Sequence, residues 1–369
     1  MLSGYATLAG TDAYRQRFAA SAHPLHFRRA ADLWLSSIGL GTYLGDPTPR
    51  TDALYTAAIR QALAGGCNVL DAAINYRHQR SERVIGQVLT ALVREGLLQR
   101  EEIVVATKGG YIAFDGDVPP DPRAYVQETF IKTGLASADD IVEWNCIAPR
   151  YLENQIECSR RNLNLDCLDI YYLHNPEAQL QQCSRSEFSR RIEAAFTVLE
   201  AQVASGKIRR YGTATWNGYR QQPTARDVLF LPDLLEIAER VGGQEHHFKI
   251  VQLPYNLGMT EALTQKNQRV GREMISVLEA AHQFGITVMA SASILQGRLA
   301  HSLPTTVSDA LSELQSDAQR ALQFTRSTPG ITTALVGMKS VAHVEHNLVV
   351  AKLPPASLEQ FHKLFRPQA

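Results

Sequence analysis

Three short apolar or β-branched runs in this chain stop abruptly on an ionisable side chain: residues 68–71 on Asp71, 103–108 on Lys108, and 168–174 on His174. Short continuous apolar runs of this kind read as strands buried on both faces of a parallel sheet. Parallel strands share one carboxyl edge, so Asp71, Lys108 and His174 are expected to meet there. Tyr76, five residues past Asp71, lies in the following turn, close enough to bend back over the same edge.

The rest of the chain keeps that rhythm. A first strand is expected from Leu33 to Gly41, reaching a tight turn at Gly39-Leu40-Gly41-Thr42. A helix over 52–64 is stopped by Gly65-Gly66. A second over 81–96 opens on Ser81-Glu82, an N-cap followed by an acid in the first turn. After strand 168–173 come helix 186–205, strand 210–215, helix 226–240, strand 249–252, helix 269–284, strand 286–290, helix 307–326, strand 331–336 and helix 341–351. Eight strands alternating with helices imply an α/β protein with a parallel sheet. Eight units favour a closed (β/α)8 TIM barrel over an open doubly wound sheet.

No Gly/Ser-rich or Pro-rich tract divides this series, and no repeat period is visible, so a single barrel domain is expected over 33–369. Residues 1–32, with scattered charge and little periodicity, read as an amino-terminal extension. The third strand is followed by a long insertion, 109–149, far beyond the usual span of about two to six residues for such a loop. Its aromatics, Tyr111, Phe114, Tyr125, Phe130 and Trp144 among them, point to a lid or pocket wall rather than a plain rim cap.

Charge excludes some partners. Lys plus Arg and Asp plus Glu both total 37, so no global field recruits nucleic acid or an anionic membrane. No apolar run approaches the roughly 20 residues of a membrane helix, and the amino terminus lacks a secretory apolar core. The five cysteines are an odd number without a CxxC pair. They read as free thiols in a reducing cytoplasm, with no redox or metal role.

Singly, each member of the quartet has an ordinary reading: Asp71 as a cap, Lys108 as a surface charge, His174 as a core imidazole, Tyr76 as a packed aromatic. Jointly, at successive strand ends, they describe a proton donor. A phenol has an ordinary pKa near 10 and is a poor acid at neutral pH. An ammonium beside it lowers that value, and Asp71 supplies the counter-charge that a buried lysine needs. His174 would hold a substrate oxygen against the phenol. Such an acid makes sense where something else delivers a hydride. A metal-dependent hydrolase would want several His and carboxylate ligands at the strand ends, and only one His stands there.

These residues resemble the aldo-keto reductase superfamily. Asp71-x-Ala73-x-x-Tyr76 followed by Ser81-Glu82, then Ala106-Thr107-Lys108, then Leu173-His174 carries the likeness. It continues through Gly206-Lys207-Ile208-Arg209-Arg210-Tyr211-Gly212, Val251-Gln252-Leu253-Pro254-Tyr255-Asn256, Gly285-Ile286-Thr287-Val288-Met289-Ala290 and Leu335-Val336-Gly337-Met338-Lys339-Ser340. The resemblance covers about residues 33–353. It implies a carbonyl reductase with Tyr76 as general acid, tuned by Lys108 and Asp71, and with His174 orienting the carbonyl. It also implies a dinucleotide against Gly41, Thr42, Asp71, Thr215, Gln252, Ser291 and Gly337, with Gln296 and Arg298 placed to touch its pyrophosphate.

Lys339 and Ser340 precede a helix amino terminus, which favours a phosphate, with His343 and Asn347 one and two turns on. A lysine there suits the 2′-phosphate of NADP and favours it over NAD. Tyr43, Tyr111, Trp144 and Trp216 are expected to wall the substrate pocket. Two departures stand out. Ala214-Thr215 replaces the family's Ser-Asn after strand five, and Ser291 replaces an aromatic after strand seven. A lost ring stack is worth about 1 kcal/mol of cofactor binding. A cofactor-binding regulatory or assembly subunit with little turnover is therefore the second expectation.

Overall fold

A computed structural model describes residues 1–365; the last four positions of the anticipated 33–369 unit, 366–369, lie outside the described residues. Its strands are β1 (Phe27–Ala30), β2 (Leu33–Ser36), β3 (Ile38–Gly41), β4 (Val69–Asp71), β5 (Val104–Gly109), β6 (Leu168–His174), β7 (Ile208–Ala214), β8 (Phe248–Pro254), β9 (Gln268–Val270), β10 (Glu273–Ile275), β11 (Thr287–Ser291) and β12 (Ile331–Gly337). Eight of them close a barrel in the order β11-β12-β3-β4-β5-β6-β7-β8. All eight pairings are parallel. This is the (β/α)8 barrel that the alternation implied.

The barrel interior is filled by side chains in register: Val69, Val104, Ala106, Ile170, Tyr172, Ile250, Met289 and Leu335 form one buried cluster. Ala6, Leu33 and Leu35 belong to the same cluster, so the amino-terminal mouth is plugged by the hairpin and the first residues of the chain. Ala6 N–H donates to Asp169 Oδ1 at 2.6 Å, and Arg100 pairs with Asp169 Oδ2 at 2.8 Å. The anticipated division at 32/33 falls in the hairpin turn, where Ala31 and Asp32 both have positive φ. Residues 1–32 also hold a helix, Leu8–Arg17, whose Tyr14 is fully buried.

Several elements differ from the sequence expectation. The single strand expected over 33–41 is two: β2 pairs antiparallel with β1, and the chain turns at Ser37 into β3 of the barrel. Helix 81–96 is Arg80–Arg94, and Ser81 does not cap it; its hydroxyl donates to the Thr42 carbonyl at 2.8 Å. Helix 226–240 is Leu231–Gly242, with a proline in its first turn. The helix expected over 269–284 is a β9–β10 hairpin followed by a short helix, Val277–Gln283. A capping box between Ser276 and Glu279 fixes that start. The helix expected over 307–326 is two, Thr305–Ala310 and Asp317–Ser327, and Ser316 caps the second. The one over 341–351 ends at Leu348 and tightens into a 3-10 turn.

The 109–149 insertion is a folded arm. A short helix, Pro122–Val126, capped by Asp121, runs into a π turn over Gln127–Ile131. Ile112, Val126, Phe130, Ala136 and Cys146 of the arm form a small core together with Tyr151 of the following helix, Pro149–Leu163. Asn145 Nδ2 ties it to the barrel by donating to the His174 carbonyl at 2.7 Å, and Gln179 Nε2 holds Asn145 in turn at 2.9 and 3.0 Å. Among the described residues no helix is long and apolar enough to cross a membrane.

Candidate active site

The pleat turns Lys108 and His174 inward, and β4 delivers Asp71 beside them. Lys108 is fully buried. Its Nζ donates to Asp71 Oδ1 at 2.9 Å, to Asp71 Oδ2 at 2.7 Å and to the Ala72 carbonyl at 2.7 Å. Three acceptors use all three ammonium donors. Gln252 Nε2 donates to Asp71 Oδ1 at 2.7 Å from the far side of the barrel. The carboxylate is therefore a junction between β4, β5 and β8.

Tyr76 lies over this junction. The Lys108 ammonium sits 4.6 Å from its ring centroid, a cation–π contact. The Tyr76 ring meets Tyr43 edge-on at 5.0 Å and His174 edge-on at 5.8 Å. Tyr111 closes on His174 from the other side at 5.0 Å.

The electrostatics correct one expectation. Lysine was expected to lower the Tyr76 pKa; here burial pushes the phenol well above its ordinary value, and the charge of Asp71 adds to the rise. The physical reason is that the ammonium protons go to Asp71 and Ala72, so Lys108 meets the ring face. Burial also lowers Lys108, opposed by Asp71. His174 is held well below the ordinary histidine value by burial and by the Lys108 charge. At neutral pH the site therefore presents a protonated phenol and a neutral imidazole. His174 Nδ1 is buried without a partner among the described residues.

A cavity of about 450 Å³ opens above these groups, within the range of small-ligand sites. Asp71, Tyr76 and His174 line it, while Lys108 lies beneath. Gly41, Thr215, Gln252, Ser291, Gln296 and Gly337 of the expected cofactor residues also line it, as do Tyr43, Tyr111 and Trp216 of the expected pocket wall. Trp144 stands apart: it is outside the cavity, exposed, and packs edge-on against Phe114 at 6.2 Å.

Thr42 is buried against the Asp71 carbonyl, with its hydroxyl at 2.9 Å, and does not reach the cavity. Arg298, Lys339, Ser340, His343 and Asn347 also lie beyond its lining. Arg298, Lys339 and His343 are exposed and Asn347 is buried. Ser340 caps the helix Val341–Leu348 by accepting from His343 N–H at 3.3 Å.

Sequence reasoning missed several lining residues. Asn75 immediately precedes Tyr76, and Asn175 follows His174 in a left-handed conformation at φ 44°. An Asn beside a strand-end His is a readable signal for such a turn. Glu177 gave no signal. Its Oε1 accepts N–H bonds from Trp216, Asn217 and Gly218 at 2.8, 3.0 and 3.2 Å, which fixes the Trp216 wall. Among the described residues no cluster of three or more His, Cys, Asp or Glu side chains is arranged to hold a metal ion.

A closed parallel barrel with a phenol, a buried ion pair and an imidazole at its carboxyl rim is a (β/α)8 enzyme by architecture. The profile of the Aldo/keto reductase family matches residues 37–365, and the chain belongs to that family of NAD(P)H-dependent oxidoreductases. It is 25% identical over 335 residues to methylglyoxal reductase YeaE of Escherichia coli (strain K12), covering 89% of this chain and 90% of the relative. An NADH-specific methylglyoxal reductase of the same organism is 29% identical over 188 residues, half of this chain and 49% of that one. Among solved structures, an aldo/keto reductase from Klebsiella pneumoniae in complex with NADP and acetate superposes with a TM-score of 0.61. It is 22% identical and covers 90% of this chain and 91% of that chain.

Proposed function

We propose that this protein reduces a small aldehyde or ketone to the alcohol, with NADPH as hydride source and Tyr76 as the general acid. The observation that carries this reading is the Tyr76 phenol, which of the three tyrosines lining the cavity is the one with the Lys108 ammonium on its ring face, edge-on to the neutral His174 imidazole and above the saturated Lys108–Asp71 pair. The Tyr76 hydroxyl gives its proton to the carbonyl oxygen. The neutral His174 ring holds that oxygen without competing for the proton, because burial keeps the imidazole uncharged. Lys108 and Asp71 serve as a fixed floor that positions the ring and offers positive charge to a phenolate as it forms.

The dinucleotide, when bound, supplies the hydride. The residues present fit its nicotinamide end: Thr215 Oγ1 is buried with no partner among the described residues, and Ser291 lines the cavity beside Gln252. Gln252 gives its amide nitrogen to Asp71, which leaves its carbonyl oxygen to accept from a carboxamide. Gln296 and Gly337 would border the pyrophosphate. The 2′-phosphate end would fall to the helix start at Lys339 and Ser340, with Arg298, His343 and Asn347 nearby. Two relatives bracket the nucleotide choice, since one structure holds NADP and one named reductase is NADH-specific. The free thiols favour a cytoplasmic location.

Purified protein should consume NADPH with small aldehydes, and Tyr76→Phe should lower kcat by at least about 100-fold, the size of a general-acid contribution. Turnover unchanged by that substitution would remove Tyr76 from the role. Lys339→Ala should raise the Kd for NADPH about tenfold and leave NADH nearly unchanged; equal losses would remove the 2′-phosphate contact. A cofactor-binding subunit with little turnover is the second reading, supported by Ala214 and Ser291 at the cofactor side. It predicts tight NADPH binding with no carbonyl reduced.

A further inference from the structure

The catalytic cavity has a neighbour of opposite character. Past Tyr111, Asn175 and Trp216, which border both spaces, lies an open recess of about 480 Å³. Its ionisable lining is Glu143, Glu177 and Asp227, with the Tyr111 phenol between the two spaces, and no lysine, arginine or histidine lines it.

None of the three carboxylates makes a salt bridge among the described residues. Asp227 accepts one bond, from Asn217 Nδ2 at 3.1 Å. Arg185, which feels the charge of Asp227, spends its own donors on the carbonyls of Ala225, Arg226 and Val228. Glu177 is the independent observation. It is 5% exposed, its Oε1 is committed to three backbone N–H groups, and its Oε2 is buried with no hydrogen-bond partner among the described residues. Burial is the main reason the Tyr111 phenol sits above its ordinary pKa, and the charges of Glu177 and Glu143 both add to it.

Burial raises the Glu177 carboxyl, against three backbone N–H donors that lower it. A recess lined by three carboxylates with no cationic side chain among the described residues, and with aromatic rings at its entrance, is chemistry for a cation. Trp and Tyr faces attract ammonium groups, quaternary ones included, and carboxylates add Coulomb attraction. We propose that the recess lined by Glu143, Glu177 and Asp227 receives an ammonium group at the far end of the carbonyl substrate. The carbonyl then lies at Tyr76 and His174, the linking chain passes Tyr111 and Trp216, and the cation rests among the carboxylates. This rests on the reduction proposed above and narrows its substrate to cationic aldehydes or ketones.

The test compares three aldehydes of matched length: 4-(trimethylammonio)butanal, its neutral isostere 5,5-dimethylhexanal, and the anionic 5-oxopentanoate. The cation should exceed the neutral isostere in kcat/KM by about tenfold, mostly through KM, with the anion poorest. Added salt should shrink the advantage. Glu143→Gln and Asp227→Asn, both outside the buried core, should each bring the cation-to-neutral ratio toward one. Equal kcat/KM for cation and isostere, a preference for the anion, or a cation preference undiminished in both variants would overturn the proposal.

A binding measurement separates this failure from failure of the reduction itself. Tetramethylammonium chloride should give a saturable change in tryptophan fluorescence that Glu143→Gln weakens several-fold. If no aldehyde turns over, that titration still decides the recess, and no saturable change overturns it.

Discussion

The Lys108–Asp71 pair should behave as one unit in stability. Lys108 has no solvent exposure and places all three ammonium protons on Asp71 and Ala72. Asp71→Asn keeps the shape of the side chain and leaves a buried ammonium without its counter-charge. Lys108→Met keeps the length and leaves the carboxylate with the Gln252 amide alone. Breaking a buried pair by removing one partner costs about 3–5 kcal/mol. For a chain of 369 residues that is a fall in Tm of about 4–6 °C at the usual unfolding entropy per residue. The double variant buries no net charge and should cost about as much as one single change, a coupling of about 3 kcal/mol.

The pH dependence follows from the direction of the lysine shift. Burial lowers Lys108, and Asp71 is the main force opposing it. In Asp71→Asn the folded pKa falls further below the unfolded value. The unfolded state then binds more protons across that interval, and stability rises with pH. The deficit of Asp71→Asn against the parent should therefore shrink as pH is raised above neutrality. Thermal and denaturant unfolding of the four proteins would measure both effects. Additive single costs, within about 0.5 kcal/mol, would refute the pairing argument.

Two further outcomes can be read from the fold. His26 is fully buried between the Ser37 hydroxyl and the Gly66 carbonyl, and burial lowers its pKa to about 3. Its stabilising effect is present above the unfolded value near 6.5 and is lost as pH falls toward about 3, a loss of about 2 kcal/mol by pH 5. The stability gap between the parent and His26→Gln should narrow by about that amount from pH 7 to pH 5, and a constant gap would contradict it. Gly212→Ala places a Cβ 1.6 Å from the Ile250 carbonyl oxygen, where β7 meets β8. The obstacle is backbone, so the variant should be insoluble or lose several degrees of Tm; a parent-like melting curve would refute the close approach.

The barrel was legible because it rests on a local signal repeated along the chain: short apolar or β-branched runs alternating with helical stretches, broken once by the 109–149 insertion. The quartet was legible because Asp71, Lys108 and His174 each end such a run. What escaped depends on contacts distant in sequence. Residues 1–30 carry little periodicity because what they bury is set by the barrel mouth, as with Ala6 at Asp169 and Tyr14 at the Leu63 carbonyl. The β9–β10 hairpin was hidden in a helical reading because its strands have only three residues each. The capping box at Ser276 and Glu279 was the local clue to the true helix start. The tuning of Tyr76 was misread because residue types do not tell where an ammonium spends its protons. Glu177 was invisible because its partners are backbone N–H groups on another loop.

The long arm has a mechanical meaning. Asn145 holds the carbonyl of His174 itself, and Gln179, just past the end of the same strand, grips Asn145 from behind. An arm fastened to the backbone of a site residue is a buttress: it cannot swing away without dragging the imidazole with it. The cavity wall after β11 is built differently: Leu295, Gln296 and Gly297 have positive φ, and Gln296 lines the cavity. Anyone transplanting this arm into a related barrel would have to carry Asn145 and Gln179 along with it. Without them the graft would keep its other ties, such as Gln155 to the Tyr111 carbonyl and Gln79 to the Phe114 carbonyl, and leave the histidine unbraced.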